Sequence, residues 1–157
     1  MLLQAPLISR GADQETYGWG QIKVIPQDQY ELKFLGVIVD KSTPYRRGLF
    51  LFIWKGDKTI HLGGNGFDKK NRFMPSTEFS IHHAIGWESL ECEWEGPEEY
   101  YAIEPGKVSV FVVSTTWLEH YRDPSKVQGA DQALLYVSAR EGALFSKEFA
   151  LPLTLKN

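Results

Sequence analysis

Leu49-Phe50-Leu51-Phe52-Ile53-Trp54 is the run on which the reading of the fold turns. In an extended chain Leu49, Leu51 and Ile53 project to one side and Phe50, Phe52 and Trp54 to the other. Both sides then need apolar cover, which marks a central strand. Lys55-Gly56-Asp57-Lys58 follows with turn chemistry. Thr59-Ile60-His61-Leu62 is expected to run back beside the first strand as a hairpin, until Gly63-Gly64-Asn65-Gly66 breaks it.

Working outward from this pair, Gln21 to Ile25 alternates as far as Pro26, and Tyr30 to Val39 begins by alternating and ends apolar on both faces. Before them, Leu2 to Ile8 reads as extended and Ser9 to Thr16 as a loop. On the other side, Gly63 to Pro75 is the longest polar connection. Phe79, Ile81, His83 and Ile85 alternate as in a strand, although Ser76-Thr77-Glu78 has the character of a helix cap. Glu88 to Glu95 alternates more clearly, with Leu90, Cys92 and Trp94 facing a core and Ser89, Glu91, Glu93 and Glu95 facing water. Tyr100 to Ile103, Val108 to Val113, Ala133 to Ala139 and Leu144 to Leu155 complete the set, with Pro152 pointing to an edge or a late kink. Pro124 and Gly129 leave no room for a long helix between Trp117 and Gln132. About nine or ten short strands with turn signals between them predict an all-β fold, an antiparallel β-sandwich of jelly-roll or Greek-key type. No repeat or linker divides the chain, so residues 1–157 are expected to form one domain.

Composition agrees with that class. The chain is 43% apolar and 24% charged, proportions that need no disulfide or metal staple at a length of 157 residues. Its 13% aromatic content leans towards β structure. One cysteine, Cys92, cannot close an internal disulfide, and Met1 to Ile8 lacks the basic start of a signal peptide. No apolar run is long enough for a membrane span. These features point to a cytoplasmic protein without membrane contact, a mature secreted form being the alternative.

Candidate chemistry is sparse. His61, His82, His83, His120 and Cys92 are possible metal ligands by type, but adjacent His82 and His83 point to opposite faces of a strand and cannot share an ion. Gly63 to Asn71 has neither the helix that a phosphate loop opens nor the carboxylates that calcium needs. Ser114, followed by Glu119, His120 and Asp123, has no nucleophile elbow around it. No metal, cofactor or catalytic residue is therefore expected, and a hydrolase ranks below the binding functions.

Charge is distributed unevenly. From Lys41 to Arg72 eight basic residues, Arg46, Arg47, Lys69 and Lys70 among them, face two aspartates, a net +6. From Glu78 to Glu104 there are eight glutamates and no Lys or Arg, a net −8. Segregated charge steers association and selects partners. The expected function is a non-catalytic protein-binding or assembly module, as an assembly subunit or an inhibitor-like or immunity-like binder. Glu91, Glu93 and Glu95 would form one contact surface and Arg46, Arg47, Lys69 and Lys70 the other, the partner being another protein or a second copy. If the two segments instead neighbour each other in the sheet, they neutralise one another. An acidic chain without a recognition motif does not suit nucleic acid. The alternative is a lectin-like, carbohydrate-binding sandwich with Trp87 and Trp117, near strand ends, as stacking platforms.

Overall fold

The computed structural model describes residues 23–39, 46–83, 86–90, 99–115, 118, 129–151 and 153. Most of them lie in eleven strands: β1 (Tyr30–Val39), β2 (Arg46–Trp54), β3 (Ile60–Phe67), β4 (Phe73–Pro75), β5 (Thr77–His83), β6 (Gly86–Leu90), β7 (Glu99–Ile103), β8 (Val108–Ser114), β9 (Gln132–Ala139), β10 (Gly142–Phe145) and β11 (Phe149–Ala150). A 3-10 turn, Gln27–Gln29, leads into β1. The strands form one connected sheet in the order β1-β2-β8-β4-β3-β9-β5-β6, with β7 added to β3 and with β10 and β11 added to β9.

The run Leu49–Trp54 is the central strand that its two apolar faces require. Phe50, Phe52 and Trp54 are buried, and Leu49, Leu51 and Ile53 are half-buried. β2 pairs with β1 on one edge and β8 on the other, both antiparallel. The expected hairpin with Thr59–Leu62 is therefore absent, because neither edge of β2 is open to it. The turn between them is built around Trp54 instead. The indole donates from Nε1 to the Lys58 carbonyl at 2.6 Å. It also lies against Gly56, where a Cβ would fall 2.2 Å from the ring. This turn redirects the chain to a different part of the sheet. β3 then runs on through the four residues expected to break it. Gly64 pairs with Pro75 on one side and Glu99 on the other, and a Cβ there would meet the Met74 carbonyl at 2.5 Å. Glycine is what the crowded crossing of three strands demands, so here it marks close approach within a strand and not its end.

Two further expectations are corrected. The sheet is mixed rather than purely antiparallel, since β4 runs parallel to β8 through Phe73 and Phe111. Side-chain alternation carries no information about strand direction, so nothing in the sequence pattern marked this pair. The strand pairing also links all eleven strands into one curled half-barrel in place of two antiparallel layers. The segment expected from Leu144 to Leu155 divides into β10 and β11. Val24 contributes only an isolated parallel bridge to Ala143.

Curling is visible in the core. Rings pass from strand to strand in the series Tyr30, Phe52, Phe111, Phe73 and Phe67, with centroid separations of 6.4, 5.0, 5.4 and 5.3 Å. Phe149 of β11 touches Phe34 of β1, Phe50 of β2 and Phe79 of β5. β1 and β5 stand far apart along the sheet, so one ring can reach both only because the sheet folds over itself. A bulge in β1 between Phe34 and Gly36 adds local bend. Polar contacts tie the start of β1 to the far half: the Tyr30 hydroxyl donates to the Phe145 carbonyl at 3.1 Å and accepts from the Phe145 N–H at 2.9 Å. The Lys147 N–H reaches the Leu32 carbonyl at 2.9 Å.

Candidate functional site

Arg46 and Arg47 open β2, opposite Val39 and Ile38 of β1. Arg46 is exposed and its carbonyl accepts from Thr115, which fixes the backbone there. Lys69 and Lys70 are exposed in the turn between β3 and β4. Register separates the two basic pairs. Arg47 lies opposite Ser114, the last residue of β8. β4 joins β8 in parallel at Phe111, so the turn that precedes β4 extends towards Val108, the other end. Lys55 and Lys107 belong to that second end, where the Trp54 N–H donates to the Lys107 carbonyl. The basic segment of the sequence is thus two basic sites on the sheet. Glu91, Glu93, Glu95 and Trp117 lie outside the described residues, as do Cys92, Glu119, His120 and Asp123.

The turn carrying Lys69 and Lys70 is held by its own aspartate. Asp68 accepts from the Lys70 N–H at 2.9 Å, the Arg72 N–H at 2.8 Å and Arg72 Nε at 2.7 Å. Its N–H in turn donates to the Arg72 carbonyl at 2.9 Å. Burial alone would raise the Asp68 carboxyl, but these hydrogen bonds and the guanidinium charge outweigh it and hold the group below its ordinary value. Asn71 takes up the left-handed conformation, φ 60°, which closes the turn. Asp68 therefore neutralises Arg72, and Lys69 and Lys70 are displayed on a rigid frame. Beside them Phe67 is 43% exposed, its ring resting against Phe73 and edge-on to Tyr101. Glu99, the nearest carboxylate by register on β7, accepts from the Tyr101 hydroxyl at 2.9 Å.

The histidines form two separate pairs. His61 of β3 meets Glu141, in the turn between β9 and β10, twice: its N–H donates to Oε1 at 2.9 Å, and its Nδ1 lies 2.5 Å from Oε2. Burial acts to raise the Glu141 carboxyl, yet the bonds from the His61 ring and backbone prevail and lower it. The Arg140 N–H donates to the His61 carbonyl at 2.8 Å, and the Arg140 guanidinium lies 5.0 Å over the Tyr100 ring. These contacts close a seam where β3 and β9 otherwise pair only through Leu62 and Ala139. His82 of β5 stacks obliquely on Trp87 of β6 and places Nδ1 3.0 Å from Asp131 Oδ1. Among the described residues no hydroxyl or thiol is hydrogen-bonded to His61 or His82, and no three His, Cys, Asp or Glu side chains stand together as metal ligands would. No helix of the described residues is long and apolar enough to cross a membrane.

Sequence reasoning did not anticipate the seam or the Trp87, His82 and Asp131 cluster. Glu141-Gly142 has the composition of a turn, but the carboxylate of Glu141 reaches a residue eighty positions earlier. The alternation from Phe79 to Ile85 did place His82 on a strand, but Trp87 was read only as lying near a strand end, and their pairing followed only from the hairpin register.

No family model matches the chain, and no curated protein matches it. Among solved structures it is similar to target SoR45 of the Northeast Structural Genomics Consortium, determined by X-ray methods. The similarity covers 83% of this chain and 94% of that one, at 16% identity and a TM-score of 0.35. A likeness at that score carries no statement about function.

Proposed function

We propose that the protein is a non-catalytic protein-binding or assembly module, and that the turn from Phe67 to Arg72 is part of its contact surface. The observation that supports this is the hydrogen-bonded frame of Asp68, which presents Lys69 and Lys70 beside an exposed aromatic ring. A pre-ordered turn loses little conformational freedom on binding, and aromatic residues are enriched at the energetic centres of interfaces. The occupant is a surface rich in carboxylates, and the sequence supplies one in Glu91, Glu93 and Glu95 of a second copy. Arg46 and Arg47, at the other end of β8, form a second basic contact in the same reading. The lone Cys92 suits a reducing setting such as the cytoplasm.

Native mass as a function of concentration and salt tests the proposal. Self-association should weaken as salt rises. Lys69→Glu with Lys70→Glu should be monomeric and fold normally, because exposed substitutions seldom disturb a core. Mixed with a variant carrying Glu91→Lys and Glu93→Lys, it should associate again. A wild-type protein that stays monomeric at every concentration would overturn the second copy as occupant and leave a different protein in its place, and an associating protein whose mass is unchanged in the Lys69 and Lys70 variant would overturn the turn as contact surface.

A further inference from the structure

We propose that the outer edge of β7 pairs with β7 of a second copy, antiparallel about a two-fold axis at Tyr101. This pairing rests on the reading that copies associate through the Phe67–Arg72 turn, and it specifies the strand which that contact engages. β7 is hydrogen-bonded along one edge only, to β3, from Ile103 opposite Ile60 to Glu99 opposite Gly64. On its other edge no residue from Glu99 to Ile103 has a backbone partner among the described residues. Glu99, Tyr100 and Ala102 are exposed, and Tyr101 is half-buried. Open strand edges are templates for another chain, and proteins commonly guard them with Lys, Pro or a bulge. β7 holds none of the three. Four large apolar side chains are exposed among the described residues, and two of them gather at this strand. Tyr100 stands on one face of β7, and Phe67, its ring 6.0 Å from that of Tyr101, stands on the other.

The sequence of β7 selects both the occupant and the register. A two-fold axis normal to the sheet keeps every side chain on its own face, so one residue of β7 must meet its own copy. With Tyr101 on the axis, Tyr100 faces Ala102 and Glu99 faces Ile103 of the second copy. Large then meets small, no like charges stand opposite, and all five residues are used. Moving the axis to Tyr100 or to Ala102 would bring Pro97 or Pro105 into the ladder, neither of which has an N–H to donate. The two Tyr101 rings meet at the axis, each already edge-on to its own Phe67. At each end of the pair, Glu99 of one copy and the exposed Glu104 of the other gather two carboxylates. β3 runs on from Gly64, opposite Glu99, to the turn that displays Lys69 and Lys70, so the countercharge lies past that same end. Five residue pairs bury little area by themselves, which is why stable association also needs the charged turn.

The test is cross-linking of the full chain at defined positions. In a Cys92→Ser background, Tyr100→Cys and Ala102→Cys are made separately; both positions are exposed, so the fold should be kept. With oxidised glutathione present, a mixture of the two should form a disulfide-linked heterodimer roughly tenfold or more faster than either variant forms a homodimer, because only Tyr100 and Ala102 face each other. Amide exchange of the wild type gives a second readout. The alternate amides of Glu99–Ile103 that do not donate to β3 should exchange more slowly as protein concentration rises. In a protein that associates, a heterodimer that forms no faster than the homodimers, or β7 exchange that does not depend on concentration, would overturn the strand pairing and leave the charged turn as the contact. A wild-type protein that is monomeric at every concentration would overturn it as well. Cross-linking as expected, together with an unchanged mass when Lys69→Glu and Lys70→Glu are combined, would uphold the strand pairing and remove the turn instead.

Discussion

Tyr30→Phe removes one oxygen from the place where the start of β1 is tied to β10, and its cost can be worked from the contacts. The hydroxyl accepts from the Phe145 N–H at 2.9 Å and donates to the Phe145 carbonyl at 3.1 Å, and Tyr30 is buried. The phenyl ring of the variant keeps its packing against Phe52, so no large cavity opens. What changes is that two backbone groups of Phe145 lose the partner that faces them. Leaving a buried polar group unsatisfied costs about 1–3 kcal/mol, so the variant should lose roughly 2–4 kcal/mol. Urea unfolding followed by tryptophan fluorescence should show a lower midpoint with an unchanged slope, since the surface exposed on unfolding is the same. Amide exchange at Phe145 should accelerate together with that loss. Burial also pushes the Tyr30 hydroxyl far above its ordinary value, outweighing the hydrogen bond with Phe145 that acts the other way. A group whose pKa is raised in the native state stabilises fully below its unfolded value, so the advantage of tyrosine over phenylalanine should hold up to about pH 10 and decline above it. A loss below about 0.5 kcal/mol would refute the reasoning, because it would mean that water or a small backbone shift satisfies Phe145 as well as the hydroxyl does.

Two other perturbations address the core and the seam. Phe52→Ala should cost about 3–5 kcal/mol in the same unfolding assay, because its ring is fully buried between Tyr30 and Phe111; a change near zero would contradict that packing. Glu141→Gln should lower the thermal midpoint at neutral pH. The deficit should narrow as the pH falls below 4.5, the ordinary value for the glutamate carboxyl, since a carboxyl lowered in the native state stabilises above its unfolded value and loses that effect as it protonates. A difference from wild type that is constant through the acid range would show that the charge of Glu141 plays no part at the seam.

The parts of the fold that could be read in advance are those fixed by side-chain alternation. Leu49–Trp54 is apolar on both faces and is a central strand with neighbours on both edges. Phe79 and Ile81 alternate and face the core, which decides between strand and helix for Thr77–His83. Alternation reports which face of a strand is buried but is silent on which strand lies alongside it. The turn after Trp54 looks like hairpin chemistry, yet the indole folded onto Gly56 sends the chain elsewhere. Gly63 and Gly64 look like a break because glycine is rare inside strands, whereas at Gly64 the missing Cβ makes room for the Met74 carbonyl and the Phe73 ring.

The same limit governs the candidate sites. Charge counted along the chain joins Arg46, Arg47, Lys69 and Lys70 in one basic segment, but β8 lies between them in register and sends the two pairs to opposite ends. A partner that touches both must therefore span the length of a strand, and one that touches a single pair meets only the cations of its own end and not a field of eight. Contacts that set the geometry of the sites join residues distant in sequence: His61 with Glu141, His82 with Asp131 and Tyr30 with Phe145. The last depends on the sheet curling until β1 meets β10, whereas the first two follow from β3 and β5 both lying beside β9. The curl is produced by shapes, such as the bulge at Leu35 and the rings packed around Phe149, that no period in the sequence encodes. Closing the half-barrel and forming the Tyr30 contact are therefore one event, and a substitution that opens that contact should leave the Asp68 turn, whose bonds are all local, intact.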